Sequence, residues 1–299
     1  MKLKSLLCYA LAAAVFAGGG SCSDDKNEPP AEPGTIDMTW MTADEVTTAV
    51  KEALAAGVTE FKLTGEFAKI GIPAQAGATP ADNPFYDSNV EMIDLTGVTD
   101  WPKVNTNGRL DADFNLLPGD VRGLPASAFD GLDGGYPALR EMKLPAEVKA
   151  LGTCAFIACK ALTAVSCDGV EEVGWQAFSY CSALTTVELP ETTKIYGAAF
   201  FGSGLTSLSL PKATFMGVRT FSQCYDLTEL RLTAAGDLTL EKDSGSTFIP
   251  GNIAEQCSLT LNADKHYDTG TASPKAVSEN QWATDYYERP FTWKSIAFE

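Results

Sequence analysis

The sequence has one histidine, His266, in 299 residues. Acid–base and nucleophile-activating chemistry near neutral pH leans on imidazole, whose ordinary pKa lies nearest that range. A Ser-His-Asp triad or a His-rich zinc site would have to rest on this one side chain. Positive charge is scarce as well. Lys and Arg number 22 against 39 Asp and Glu, a formal net charge of −17. Such a chain repels phosphate backbones, so nucleic acid is not an expected partner. It repels anionic lipid too, so membrane attachment cannot come from a basic face. No CxxC spacing occurs, which removes a zinc ribbon. No Walker A or dinucleotide glycine motif is present. No metal, no cofactor and no catalytic set is expected, and the chain reads as non-enzymatic.

Apolar residues make up 45%, so a packed core is expected. The first residues stand apart from it. Lys2 and Lys4 precede an apolar run from Leu6 to Ala17, which is too short to cross a bilayer. Small residues Gly18 to Ser21 follow, so residues 1–21 read as a secretory signal peptide. Residues 22–38 carry Pro29, Pro30 and Pro33 with acidic side chains, and read as an extended acidic tether.

The most informative strings recur. "CAFIACKAL" starts at Cys154, "QAFSYCSAL" at Gln176, "AAFFGSGL" at Ala198 and "RTFSQCYDL" at Arg219. Phe156, Phe178, Phe200 and Phe221 are spaced by 22, 22 and 21 residues, and Leu162, Leu184, Leu205 and Leu227 keep step. An earlier copy, with Phe129, Leu139, Met142 and Leu144, carries an insertion between its Phe and its first Leu. After each Leu the pattern alternates. Val165 and Cys167, Val187 and Leu189, Leu208 and Leu210, Leu230 and Leu232 point one way, which is the period of a half-buried strand. Pro145, Pro190 and Pro211 then end the strand. No unit of this size buries its own apolar side, so the copies are expected to stack and bury each other's. The predicted fold is a repeat solenoid, mainly β with short irregular or helical connections. Its repeats span residues 123–262.

The flanks read as its ends. "TEFKLTGEF" from Thr59 and "VEMIDLTGV" from Val90 repeat the strand alternation and are expected to be degenerate first rungs within residues 39–122. Before them, Val46, Val50 and Leu54 recur at four-residue spacing, with Thr42 and Glu45 as a capping box and Gly57 as a stop. This predicts an N-terminal capping helix. "CSLTL" and "FTWKSIAF" read as last strands, and residues 263–299 as a C-terminal cap with capping strands.

The repeat resembles the BspA-like leucine-rich repeat of bacterial surface proteins. Its unit runs A-F-x-x-C-x-x-L-x-x-V-x-L-P, with an aliphatic-Gly pair before the next A-F, here Leu151-Gly152 and Val173-Gly174. The match covers about residues 124 to 232. Departures are Ser203 for the Cys, Thr220 for an Ala, and Cys167-Asp168 where Leu-Pro is usual. The start of the chain is similar to a bacterial lipoprotein signal, with Cys22 as the lipidation site, although Gly19 stands where a Leu is usual. "SDDK" after Cys22 resembles the acidic tag of Bacteroidetes-type lipoproteins. These likenesses imply an outer-membrane, lipid-anchored protein displayed on the cell surface, touching the membrane through its lipid anchor only.

Six cysteines remain beyond the signal and Cys22: Cys154, Cys159, Cys167, Cys181, Cys224 and Cys257. Cys159, Cys181 and Cys224 share one repeat position and are expected to be buried free thiols; a Cys154–Cys167 pair stays open. Two strings imitate the aspartic-protease signature, Asp243 to Thr247 and Asp268 to Ala272. Their aspartates are only 25 residues apart, so they read as turns. Asp111 with Asp113, and Asp130 with Asp133, lack the spacing of a calcium loop.

What remains is the outward strand face. One column holds Glu141, Ala164, Thr186, Ser207 and Glu229, and the next Lys143, Ser166, Glu188, Ser209 and Arg231. This array is the candidate binding face, with a plain solvated sheet as the competing reading. Trp175, Tyr180 and Tyr225 lie near repeat turns as possible ligand contacts. The expected function is adhesion or another protein–protein interaction, with an extracellular protein of a host matrix or neighbouring cell as partner. The alternative is a glycan-capture lipoprotein with an exposed aromatic platform. Trp282, Tyr286, Tyr287 and Trp293 cluster near the C-terminus but read more readily as the core of the cap.

Overall fold

A computed structural model describes residues 32–72, 82–108, 119–241, 243, 246–263, 280–284, 287 and 289–299. Cys22, residues 1–31, Asp111, Asp113, His266, the Asp268 string and Tyr286 lie outside the described residues.

Each repeat makes one coil with three sides. On the first side lies the alternating strand. Thr35–Asp37, Glu60–Glu66, Met92–Thr99, Glu141–Lys143 and Ala164–Val165 pair in that order, all parallel. Phe61, Ile93, Met142 and Val165 are in register, so the two degenerate copies do belong to the same ladder. Pairing begins at Thr35, inside the stretch read from sequence as a tether. Ser207–Ser209, Glu229–Leu232, Ser258–Leu261 and Ser295–Phe298 form a second parallel ladder.

On the second side run Val121–Leu124, Ala150–Leu151, Glu172–Val173, Lys194–Ile195, Phe215–Met216 and Thr239–Leu240, again parallel. Lys103–Val104 closes its outer edge in antiparallel pairing with Arg122 and Val121.

The third side has no strand, yet its backbone is paired just as regularly. The N–H groups of Cys154, Phe156 and Ala158 donate forward to the carbonyls of Trp175, Ala177 and Ser179. Those of Gln176, Phe178 and Tyr180 donate to Gly197, Ala199 and Phe201, and those of Ala198, Phe200 and Gly202 to Val218, Thr220 and Ser222. This geometry needs left-handed backbone at two residues per coil, four apart: Cys154 and Ala158, Gln176 and Tyr180, Ala198 and Gly202, Arg219 and Gln223. Seven of these eight carry a side chain, and each such residue costs about 1–2 kcal/mol in that conformation. Burial of the Phe at the centre of each turn offsets this, at roughly 1.5–3 kcal/mol per ring.

Those rings form one file. Phe129, Phe156, Phe178, Phe200 and Phe221 are fully buried. Their successive centroids are 5.7, 5.5, 5.4 and 6.0 Å apart, with planes within 10° of parallel. Beside them the repeat cysteines reach back one coil. The thiols of Cys159, Cys181 and Cys224 donate to the carbonyls of Phe129, Phe156 and Phe200 at 3.0, 3.1 and 2.9 Å. A small, weakly polar donor explains the Cys at this position.

At the N-terminal end, helix α1 (Ala43–Ala55) starts at the predicted capping box. Thr42 Oγ1 accepts from the Glu45 N–H, and the Glu45 carboxylate accepts from the Thr42 N–H. Val46, Val50 and Ala53 face the core, with Leu54 half-buried, and Gly57 follows at φ +88°. At the other end Phe248, Trp282, Phe291 and Trp293 pack together, all buried. A single apolar core runs from Ile36 to Trp293.

One expected strand does not form. Residues 184–189 keep Val187 and Leu189 inside, but no strand is made there. Among the described residues, no backbone hydrogen bond joins 163–168 to 185–189. The cause lies in the departure at Cys167-Asp168-Gly169. The Gly169 backbone sits so close to Ala146 that a Cβ would fall 1.9 Å from its carbonyl oxygen. Ser166 Oγ accepts from the Leu144 N–H at 3.2 Å. Both contacts tie this coil to the preceding one.

Candidate functional site

The strand side therefore carries a groove. A shallow cavity of about 490 Å³ opens where the ladder parts, with Glu141, Lys143 and Ser166 on one lip and Thr186 and Glu188 on the other. Glu141 and Lys143 form an ion pair at 3.3 Å, both about two-fifths exposed, so it adds little stability. The rest of the predicted face lies in the second ladder. Ser207 pairs with Glu229, and Ser209 with Arg231. The Thr206 N–H and hydroxyl donate to the Thr185 carbonyl, which ties both parts to one side of the coil. Arg231 is paired with the Glu299 carboxylate. Of the predicted columns, Glu141 is in register with Ala164, Ser207 with Glu229 and Ser209 with Arg231, while Thr186 and Glu188 lie in no ladder.

A second concavity lies on the second side, and sequence reasoning found only one of its residues. Trp175, Lys194, Tyr196, Phe215, Glu241 and Asn107 line a cleft of about 590 Å³. Glu172 is buried beside it and accepts from Thr106 Oγ1 at 2.7 Å, Lys194 Nζ at 2.8 Å and the Tyr196 hydroxyl at 3.4 Å. The hydrogen bond to Glu172 raises the pKa of Lys194 above its ordinary value, so the ammonium stays charged. Burial pushes the Tyr196 phenol up. The Tyr196 and Phe215 rings lie 5.6 Å apart, tilted by 51°. A signal for this site was present. Tyr196 stands at the register that Gly152, Gly174 and Gly217 fill in other coils.

The other exposed aromatics form no common site. Tyr180 makes an edge contact with Phe201, and Tyr225 is 65% exposed. The platform that glycan capture would need at Trp282 and Trp293 is not on the surface, since these rings are 3% and 1% exposed.

Asp243 and Ser246 exchange backbone hydrogen bonds. The Asp130 carboxylate accepts from the Leu132 N–H at 3.0 Å, a turn. The six cysteines are free thiols. Burial pushes Cys224 up to about 11 and Cys154 and Cys257 up to about 12, and raises Cys159, Cys167 and Cys181 as well. Little thiolate is available as a nucleophile. Among the described residues, no cluster of three or more His, Cys, Asp or Glu could hold a metal ion. No described helix is long and apolar enough to cross a membrane.

Comparison with known proteins agrees with the repeat. No curated protein matches the chain. Four solved chains are similar to parts of it, three of them as follows. A leucine-rich repeat protein from Bacteroides ovatus is 24% identical over 53% of this chain and 39% of its own, at a TM-score of 0.36. The leucine-rich repeat protein of T. pallidum is 26% identical over 42% of this chain and 56% of its own, at 0.34. A leucine-rich cell surface protein from Faecalibacterium prausnitzii is 18% identical over 55% of this chain and 64% of its own, at 0.22. The chain thus spans less than two thirds of each. The BspA type leucine rich repeat model matches residues 117–236 in six copies. That stretch holds the Phe file, the thiol donors and the alternating strands, and it is a BspA type leucine-rich repeat region.

Proposed function

We propose that this is a non-enzymatic binding protein, anchored at the cell surface, which takes an extracellular protein partner on its strand side. The repeat type supports binding or protein–protein interaction as the general role. The observation that carries the finer reading is the groove between the Glu141–Lys143–Ser166 lip and the Thr186–Glu188 lip. It interrupts an otherwise regular face, and it is lined by side chains the repeat does not dictate. In this reading the coils form a solenoid, α1 and the Trp282–Trp293 cluster close its two ends, and acylated Cys22 with an acidic tether holds it off the outer membrane. More than one acyl chain on one N-terminus gives firm attachment without a basic patch.

The test is binding of the full chain to a panel of immobilised extracellular-matrix proteins. The expected result is capture of at least one, weakened about tenfold by the pair Lys143→Glu and Glu188→Lys while the melting temperature holds. No capture, or capture indifferent to that pair, sinks the reading. The anchor is tested separately: Cys22→Ala or globomycin should release the chain from the membrane, and unchanged attachment sinks it.

A further inference from the structure

Within the repeat, the second side shows a substitution that works against packing. At Gly152, Gly174 and Gly217 an added Cβ would fall 2.6, 2.5 and 2.4 Å from backbone of the preceding coil. The register is therefore tight wherever glycine fills it, yet one interior coil places Tyr196 there, with Pro125 and Glu241 at the two ends of the ladder. Gly197 follows it, and the Trp175 ring lies over that glycine, 3.3 Å from where its Cβ would be. A Cβ added at Gly108 would fall 3.1 Å from Trp175 Cβ and Cγ, so a loop from outside the repeat packs against the same side chain. Phe215, in register with Lys194 on the next strand, completes the aromatic lining. Three rings that the repeat pattern does not require thus converge in one open cleft.

The polar groups around them narrow the ligand. Lys194 offers donors, and the Glu241 carboxylate, which takes the Val218 N–H at 3.2 Å, offers acceptors. An anionic ligand would meet Glu241 and a molecule of net charge −17. A cationic ligand would meet the charged Lys194 ammonium, which lines the same cleft. An added peptide strand has no open edge here, because Glu172, Lys194, Phe215 and Thr239 are consecutive members of one ladder. A neutral sugar ring fits both halves of the lining. Its C–H face packs on flat rings, and its hydroxyls take mixed donors and acceptors.

We propose that the Trp175–Tyr196–Phe215 cleft binds a neutral pyranose of an oligosaccharide, independently of the strand-side groove. The test titrates the full chain with neutral gluco-, manno- and xylo-oligosaccharides, and with acidic oligogalacturonides as the contrast, by calorimetry. At least one neutral series should bind and the acidic one should not. Tyr196→Gly installs the residue that other coils carry, so it should keep the fold, as circular dichroism would report. It should weaken binding about tenfold, and Trp175→Ala should do the same. Phe215→Ala replaces the second variant if that one does not fold. The strand-side pair Lys143→Glu and Glu188→Lys should leave sugar affinity unchanged, which keeps the two sites distinguishable. The proposal is overturned by no neutral sugar binding, by binding confined to acidic sugars, or by wild-type affinity in either folded cleft variant.

Discussion

The phenylalanine side and the strand side are built from the same repeat, yet one is unbroken and the other parts in the middle. On the phenylalanine side every coil from Ser127 to Gly202 donates three N–H groups to the next. On the strand side the ladder stops after Val165 and resumes at Ser207. The difference lies in what sets the spacing. A stack of rings fixes the first side from inside, and the departures at Ser203 and Thr220 leave its ladder intact. The second is set by small contacts at the strand ends, and one changed triplet, Cys167-Asp168-Gly169, is enough to shift a coil. A regular core thus tolerates irregular edges, and those edges are where recognition can be written.

Substitutions can break or sharpen this contrast. The largest effect is expected from Phe178→Ala, which opens a void in the ring file; thermal or denaturant unfolding should show a loss of about 3–5 kcal/mol. Gly169→Ala attacks the strand side at its closest approach. It should cost about 1–3 kcal/mol, and unfolding of this variant beside Phe178→Ala would rank the two sides. Equal losses would remove the distinction drawn here. Cys181→Ala deletes one backward thiol donor and a little volume, and should cost about 1–2 kcal/mol by the same measurement.

The smallest effect has the opposite sign. Burial holds the Asp130 carboxyl above its ordinary value, against the pull of the Leu132 N–H. The folded state keeps that proton more tightly than the unfolded chain. Its contribution is therefore fullest in acid and is lost as pH rises through the folded-state value. Asp130→Asn keeps the acceptor oxygen and should stabilise at neutral pH by under about 1 kcal/mol. The gain should vanish in acid, as unfolding at two pH values would show.

Much of this was legible in the sequence. Phe156, Phe178, Phe200 and Phe221 keep an even spacing, and burial follows from that spacing alone. The capping box at Thr42 and the inward set from Val165 to Leu232 were readable because helix and strand periods are local. The left-handed turns were not. Glycine normally announces such backbone, and Cys154, Gln176 and Arg219 give no such notice. They are held there by the neighbouring coils, which is tertiary information. The groove was half legible: the Cys167-Asp168 departure was visible, but its effect depends on how closely Gly169 meets Ala146. The aromatic cleft needed Trp175, Tyr196 and Phe215 to be seen as neighbours, and only coil stacking makes them so.

The one-way donation on the phenylalanine side has a consequence for length. Each coil there donates three N–H groups forward and accepts three from behind, so on that side the interior coils are interchangeable in their backbone bonding. Duplicating or excising one whole unit between Ser127 and Gly202 strands no donor and no acceptor, whereas half a unit strands both. Recombination between copies could therefore lengthen or shorten the molecule in whole steps of about 22 residues without any new solution for its ends. Only the last coil has a special need. The carbonyls of Thr247 and Phe248 meet it by taking the N–H groups of Arg219 and Phe221.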